Sequence, residues 1–300
     1  MKKTIGIIGL GKMGSMIALN LLDHKYKVIA HNRSPEPVKA IAKKGATPAY
    51  TIPEFVTQLP SQKIILLSIT SGPAVDAVLK SLKPYLKKGD IIIDSGNNYY
   101  KDSIRRYKEM KRLGVSFMDM GTSGGLTGAR NGASLMIGGD KSTFKKIEPL
   151  FRDLAVKDGY GYMGNSGAGN YVKTTHNGIE YALLESYAEG YGLLDKAPYK
   201  LDMRKISKVW SHGSVIRSWI TELAEKEFTD HKNTLKGFKG VIGGGETGMW
   251  TVKMAKERKC DVHTLEHAIA KRKKSKNKQT FATKFISAIR HSFGGHTEPM

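Results

Sequence analysis

Within residues 167–181, Lys173, His176, Asn177, Glu180 and Tyr181 recur at i, i+3, i+4, i+7 and i+8. On a helix that spacing puts all five on one face. The face holds an amine able to take a proton, a carboxyl group able to return one, and three further hydrogen-bonding side chains. Lys173 and Glu180 are two turns apart, about 10 Å along the axis, so both can reach toward a small molecule held between them. Gly178 interrupts the same helix at a cost of about 1 kcal/mol relative to Ala. Such a cost is tolerated where something approaches the backbone closely. A polar stripe by itself is usually a solvated face. It gains meaning from a second motif.

That motif lies at the start of the chain. An apolar strand over residues 4–9 runs into Gly9-Leu10-Gly11-Lys12-Met13-Gly14, and a helix-compatible pattern follows. The order strand, G-x-G-x-x-G, helix is the context that a dinucleotide fold requires. Gly9 makes the tight turn, Gly11 admits a pyrophosphate, Met13 lies within the motif, and Gly14 lets helix and strand pack closely. The helix N-terminus then offers free N–H groups to the phosphates. The end of the second strand, 27–31, discriminates between cofactors. An acidic residue there would bond a ribose 2′-hydroxyl and select NAD. This chain has Asn32-Arg33-Ser34 instead, a planar cation with polar neighbours suited to a 2′-phosphate. The reading is NADP, with NAD possible.

The elements that must position these groups follow from periodicity. Strand-like segments at 4–9, 27–31, 63–69, 90–94, 115–120 and 133–138 alternate with helical stretches near 12–23, 35–44, 73–82, 101–113 and 141–153. A last strand is expected near 159–163. Alternation of this kind predicts an α/β Rossmann-type domain with a mostly parallel sheet, over residues 1–166. Helical periodicity then dominates at 170–194, 202–210, 214–226, 250–258 and 262–274, followed by a short helix in the final stretch. An all-α domain over 167–300 is therefore expected, with a glycine-rich loop at 237–249. Ligands of open α/β sheets bind beyond the carboxyl ends of the strands. Two loops are expected there: residues 94–98, containing Asn97, and Gly121-Thr122-Ser123-Gly124-Gly125, whose N–H groups and Ser123 hydroxyl suit a carboxylate or oxyanion.

Three hundred residues suffice for two domains with substantial cores. No apolar run approaches the roughly 18–20 residues that span a bilayer. Cys260 is the only cysteine, so no intrachain disulfide can form, and a cytoplasmic location is expected. No His/Cys/carboxylate cluster has metal-ligand spacing. The formal net charge is +22. It suits capture of doubly anionic small molecules. The densest basic run, 271–278, lacks the interleaved aromatics that stack bases, so nucleic-acid binding is the minor reading.

The motif set as a whole resembles the decarboxylating 6-phosphogluconate dehydrogenase family in its shorter form. The matching segments are residues 9–14, Asn32-Arg33-Ser34, residues 94–97, Ser123-Gly124-Gly125 with Gly128-Ala129-Arg130, and Lys173-x-x-His176-Asn177-Gly178-Ile179-Glu180-Tyr181. Gly248-x-Trp250-Thr251 and Phe293-Gly294-Gly295-His296 also match, so the resemblance extends over nearly the entire chain. It implies oxidation of 6-phosphogluconate at C3, loss of carbon dioxide, and protonation to ribulose 5-phosphate. In that resemblance Lys173 is the base and later acid, and Glu180 the acid that protonates C1. Asn97, which also touches the cofactor, joins Ser123, Gly124, Gly125, His176, Asn177 and Thr251 in holding the sugar acid, with His176 orienting the C3 oxygen. Tyr181 and Arg272 reach the phosphate. Arg290 and His296 would come from a partner subunit's tail, making a homo-oligomer with a shared site. Met249 stands where the family usually has Lys or Arg, and Leu126-Thr127 replaces a more polar pair. Two rival readings are another β-hydroxyacid dehydrogenase without decarboxylation, and a non-catalytic nucleotide- or nucleic-acid-binding protein.

Overall fold

The computed structural model describes residues 3–299. The chain divides into two compact units, 1–174 and 175–300, and the division falls inside one long helix.

The first unit alternates strand and helix. Its elements are β1 (Thr4–Ile8), α1 (Lys12–Asp23), β2 (Lys27–His31), α2 (Pro35–Ala42), β3 (Thr47–Ala49), α3 (Ile52–Thr57), β4 (Ile64–Leu67) and α4 (Pro73–Leu82). They continue with β5 (Ile91–Asp94), α5 (Tyr100–Arg112), β6 (Ser116–Ser123), α6 (Gly125–Asn131), β7 (Ala133–Gly138), α7 (Lys141–Leu154) and β8 (Ala155–Gly164). The eight strands form one sheet in the order β3-β2-β1-β4-β5-β6-β7-β8. All neighbours pair in parallel except β6 with β7. The exception has a chain-length cause. A parallel return needs a crossover of a dozen or more residues, and residues 124–132 are too few.

Successive side chains of a strand point to opposite faces, and here both faces are buried. Ile5, Ile7, Val28, Ala30, Leu66, Met118 and Met120 fill one core. Ile8, Ile29, Ile65, Leu67, Ile92 and Phe117 fill the other. Apolar runs such as Ile91-Ile92-Ile93 therefore read as strands covered on both sides. The order of strands reverses at β1 and β4, which opens the crevice where dinucleotides bind such sheets. Three short elements, β3, α3 and α6, were not anticipated from periodicity. Thr47-Pro48-Ala49 is an edge strand, the position where proline is tolerated.

The second unit holds the rest of α8 (Ala168–Asp195), then α9 (Met203–Ser211), α10 (Trp219–His231), α11 (Glu246–Arg258), α12 (His263–Lys274) and α13 (Phe281–Gly294). Among the described residues no strand follows Gly164. Leu184, Tyr191, Phe228, Phe285 and Ile289 form its core, with the Tyr191 and Phe285 rings stacked at 4.6 Å. Two helix starts differ from expectation. α10 begins at Trp219, because Ser218 and Thr221 form a reciprocal capping box. Val215 and Ile216, inside the expected helix but ahead of the observed one, are exposed. α11 begins at Glu246, inside the stretch expected to be a loop.

Candidate active site

At the sheet's reversal point Gly9 has φ +97°, and a side chain there would collide with the Ser68 carbonyl. A side chain at Gly14 would collide with the Gly9 carbonyl, so turn and helix pack directly on one another. Gly11 differs: a Cβ there meets nothing within 4 Å. It N-caps α1 and supplies no side chain to the helix's first N–H groups. That open face of a helix N-terminus fits a pyrophosphate. Met13 is half-buried against the sheet's core. Asn32 bridges the two nucleotide-side loops, accepting from Leu10 N at 3.0 Å and donating to the Ser34 carbonyl at 3.1 Å. Its amide thus holds the loop in place, while Arg33 and Ser34 are exposed.

Beyond β5, Asn97 is exposed, and its neighbours form a buried ionic network. Arg106, fully buried on α5, donates to Asn98 Oδ1 at 2.9 Å, to the Gly72 carbonyl at 2.9 Å and to Asp76 at 2.9 Å. Its guanidinium also stands 3.5 Å from Asp94. Asn98 donates to Asp94 at 3.1 Å. Burial pushes the Asp94 carboxyl up to about 7, against the pull of Arg106 and the Gly96 N–H. This network fixes the backbone on both sides of Asn97.

Ser123 ends β6, at the same sheet edge as Gly9 and Asn97, and Gly125 begins α6. The expected loop there shrinks to Gly124, with φ +115°. Strand and helix meet almost directly, because the return to β7 is short. Lys173, on α8, is 6% exposed, and its stem packs on Gly121.

In the second unit, α8 continues with His176, buried Asn177, half-buried Glu180 and Tyr181. His176 Nδ1 lies 3.1 Å from Asn177 Oδ1. Thr251 approaches Gly178 so closely that an alanine Cβ there would stand 2.6 Å from its methyl group. The ring of Tyr181 packs on Gly248, and its hydroxyl lies 3.1 Å from Thr247 Oγ1. The Arg272 guanidinium sits 3.8 Å over that ring, a cation–π contact. Arg272 is 5% exposed, and its Nη1 is buried with no hydrogen-bond partner. Arg290 is also buried, and burial together with Arg272 pulls its pKa down to about 10. Two desolvated guanidinium groups with an unsatisfied donor have the chemistry that suits an anion.

Arg290 and His296, which the resemblance assigns to a partner's tail, have these places within the chain. Arg290 belongs to the same chain's cluster, because Phe285, Ile286 and Ile289 bury α13 in the second unit and carry Arg290 in with them. His296 is exposed, with its ring edge-on to Phe293 and folded against Gly294. Met249 is 44% exposed and adds no charge to the arginines.

Sequence reasoning missed Asp119, Arg106 and Glu246. Asp119 is buried in β6 and accepts from Gly167 N at 2.7 Å and Asn170 N at 2.8 Å, capping α8 from a distant strand. Glu246 lies near Arg290 at the start of α11. An acidic residue inside an apolar strand was the available signal for Asp119. Among the described residues, no group of three His, Cys, Asp or Glu side chains is placed to hold a metal ion, and no helix is long and apolar enough to cross a membrane.

The sheet with its glycine-rich turn, continued into a helical unit, defines a dinucleotide-binding α/β protein with a helical second domain. Two sequence profiles match the chain, meeting just before α8 rather than inside it as the compact units do. The NAD binding domain of 6-phosphogluconate dehydrogenase matches residues 4–164, and the 6-phosphogluconate dehydrogenase C-terminal domain matches residues 169–288. The chain belongs to the 6-phosphogluconate dehydrogenase family.

YqeC of Bacillus subtilis is 40% identical, covering 97% of this chain and 98% of that protein. A Haloferax volcanii protein described as an NAD(+)-dependent, decarboxylating 6-phosphogluconate dehydrogenase is 39% identical, covering 97% of each. The Plasmodium falciparum 6-phosphogluconate dehydrogenase structure, described with NADP+ and with 6-phosphogluconate, superposes with TM-score 0.82 at 32% identity. That match covers 91% of this chain and 62% of the Plasmodium chain, which is therefore substantially longer. A Mycobacterium tuberculosis 3-hydroxyisobutyrate dehydrogenase shares the fold, with TM-score 0.74 at 20% identity, covering 95% of this chain and 98% of that one.

Proposed function

We propose that this chain catalyses the NADP-dependent oxidative decarboxylation of 6-phosphogluconate to ribulose 5-phosphate and carbon dioxide. The observation that carries the reading is a buried amine, Lys173, on the same helix as a carboxyl group two turns on, Glu180. The relatives' described activities point the same way.

Gly9, Gly11 and Gly14, with the uncapped start of α1, would hold the pyrophosphate. Arg33 and Ser34 would hold the 2′-phosphate. When bound, the nicotinamide dinucleotide accepts the hydride from C3. Lys173 begins neutral and takes the C3 hydroxyl proton as that hydride departs. The resulting ammonium then donates a hydrogen bond to the C3 ketone, which stabilises the enediolate formed as the C1–C2 bond breaks and carbon dioxide leaves. Glu180, protonated at that stage, gives its proton to the carbon that lost the carboxylate. Ser123, Gly124, Gly125, Asn97, His176, Asn177 and Thr251 orient the hydroxyls and carboxylate. Tyr181, Arg272 and Arg290 take the phosphate, without the cation that Met249 displaces.

The test is a panel of phosphorylated and unphosphorylated sugar acids and simple 3-hydroxy acids, run with NADP and with NAD. Reduced nicotinamide and carbon dioxide in equal amounts, from 6-phosphogluconate alone, is the expected outcome. Reduction with a simple 3-hydroxy acid and no carbon dioxide would replace this reading with a non-decarboxylating dehydrogenase. The Haloferax description makes NAD the competing cofactor, and faster turnover with NAD would decide for it.

A further inference from the structure

We propose that Asp119 is a positioning residue for Lys173: its buried carboxylate ties the first turn of α8 to β6 and so sets where the lysine amine stands relative to Ser123. The inference rests on the reading of Lys173 as the base. Along β6, Asp119, Gly121 and Ser123 alternate onto one face. They serve in order as anchor, slot and ligand group.

The anchor is built from several parts. Asp119 has no exposed surface and accepts the Gly167 and Asn170 N–H groups, which a helix start otherwise leaves without partners. The helix dipole favours a carboxylate at that place. Room for it is made on the neighbouring strand. Gly138 is the register partner of Asp119, and a Cβ there would stand 2.7 Å from Asp119 Oδ1. Gly169 lets the helix backbone lie against the sheet, since its Cβ would stand 2.5 Å from the Met136 carbonyl. Asn170 Nδ2 donates to Ser103 Oγ at 2.9 Å and holds the turn from a second side.

The slot follows one turn on. A side chain at Gly121 would collide with the Cβ of Lys173, so the lysine stem lies directly on β6. Helix register and lysine position are thereby fixed by the same strand that ends in Ser123. A local Ser or Asp at the N-cap would stabilise the helix without burying a carboxylate. A strand-borne cap also fixes the helix against the sheet.

The experiment uses full-length Asp119→Asn, Asp119→Ala and Gly121→Ala proteins. It measures kcat, KM for the sugar acid, cofactor Kd, and the rate at which a lysine-directed acylating reagent labels Lys173, read by peptide mass spectrometry. Misplacement of a reacting group by about 1 Å costs on the order of 100-fold. The expected result is that loss in kcat for Asp119→Ala and Gly121→Ala, a smaller one for Asp119→Asn, little change in cofactor Kd, and a changed labelling rate at Lys173 in all three. Unchanged kcat and labelling would overturn the proposal. Parallel loss of kcat and cofactor affinity would overturn it too, because it would mean general loosening. If Asp119→Ala does not fold, the other two variants decide. If labelling shifts while turnover is insensitive both to these changes and to loss of Lys173, the tie stands and the base assignment falls.

Discussion

A guanidinium group buried beside another is stable only when an anion joins them or when the fold absorbs the repulsion. Burial and Arg272 pull the Arg290 pKa down to about 10, against Tyr181, Glu180 and Glu246. Arg33 is the opposite case: an exposed cation with no desolvation cost, whose meaning depends on what binds. Charge-assisted hydrogen bonds contribute roughly 1.5–3 kcal/mol, so Arg33→Ala should raise the Michaelis constant for NADP by about 10- to 100-fold. The constant for NAD should barely move. Initial-rate kinetics with both cofactors check this, and equal increases would mean that no 2′-phosphate is read there. The contrast also shows what a sequence reveals of single residues. Arg33 could be singled out because its place just after β2 is local in the chain. Arg106 and Asp119 could not, because Asp76 lies 30 residues from Arg106, and Gly167 and Asn170 lie 48 and 51 residues from Asp119, so that only folding brings them together.

At the scale of elements, α8 is the helix that both units share. It spans 28 residues, about 1.5 Å each, and every residue of the polar stripe sits on it. The stripe was readable as a helical face because its spacing is local. Close approach to Gly178 was readable too, but not that Thr251 makes it. Short elements escaped notice for a related reason: β3 and α6 are too brief to show a period, and Pro48 disguises β3. The Gly178–Thr251 contact yields a test with opposing terms. Ala is better than Gly in a helix by about 1 kcal/mol, but forcing a methyl into a packed contact costs about 1–3 kcal/mol. Thr251 cannot swing away freely, since its hydroxyl is hydrogen-bonded to the Thr247 carbonyl at 3.0 Å. Gly178→Ala should therefore lower the thermal midpoint. An unchanged or raised midpoint would mean that α8 and α11 part without cost.

For the whole molecule, a charge of +22 makes any anion stabilising to some degree by screening self-repulsion. Specific binding is separable from that background. A ligand at 100 times its Kd adds about 2.7 kcal/mol to the folded state. Inorganic phosphate should raise the melting midpoint beyond chloride at matched ionic strength, and Arg272→Met should remove only the excess. An excess that survives the substitution would place the anion elsewhere. The fold class and the two-part organisation were legible at this scale, because alternating periods of strand and helix give way to helix alone. The proposed chemistry turns on Lys173, and single-turnover formation of reduced nicotinamide from 6-phosphogluconate tests that role most directly. General base assistance supplies about 10²- to 10⁴-fold, so Lys173→Ala should lose at least that much in rate while binding cofactor as tightly as before. A variant that transfers hydride at a comparable rate would contradict the mechanism.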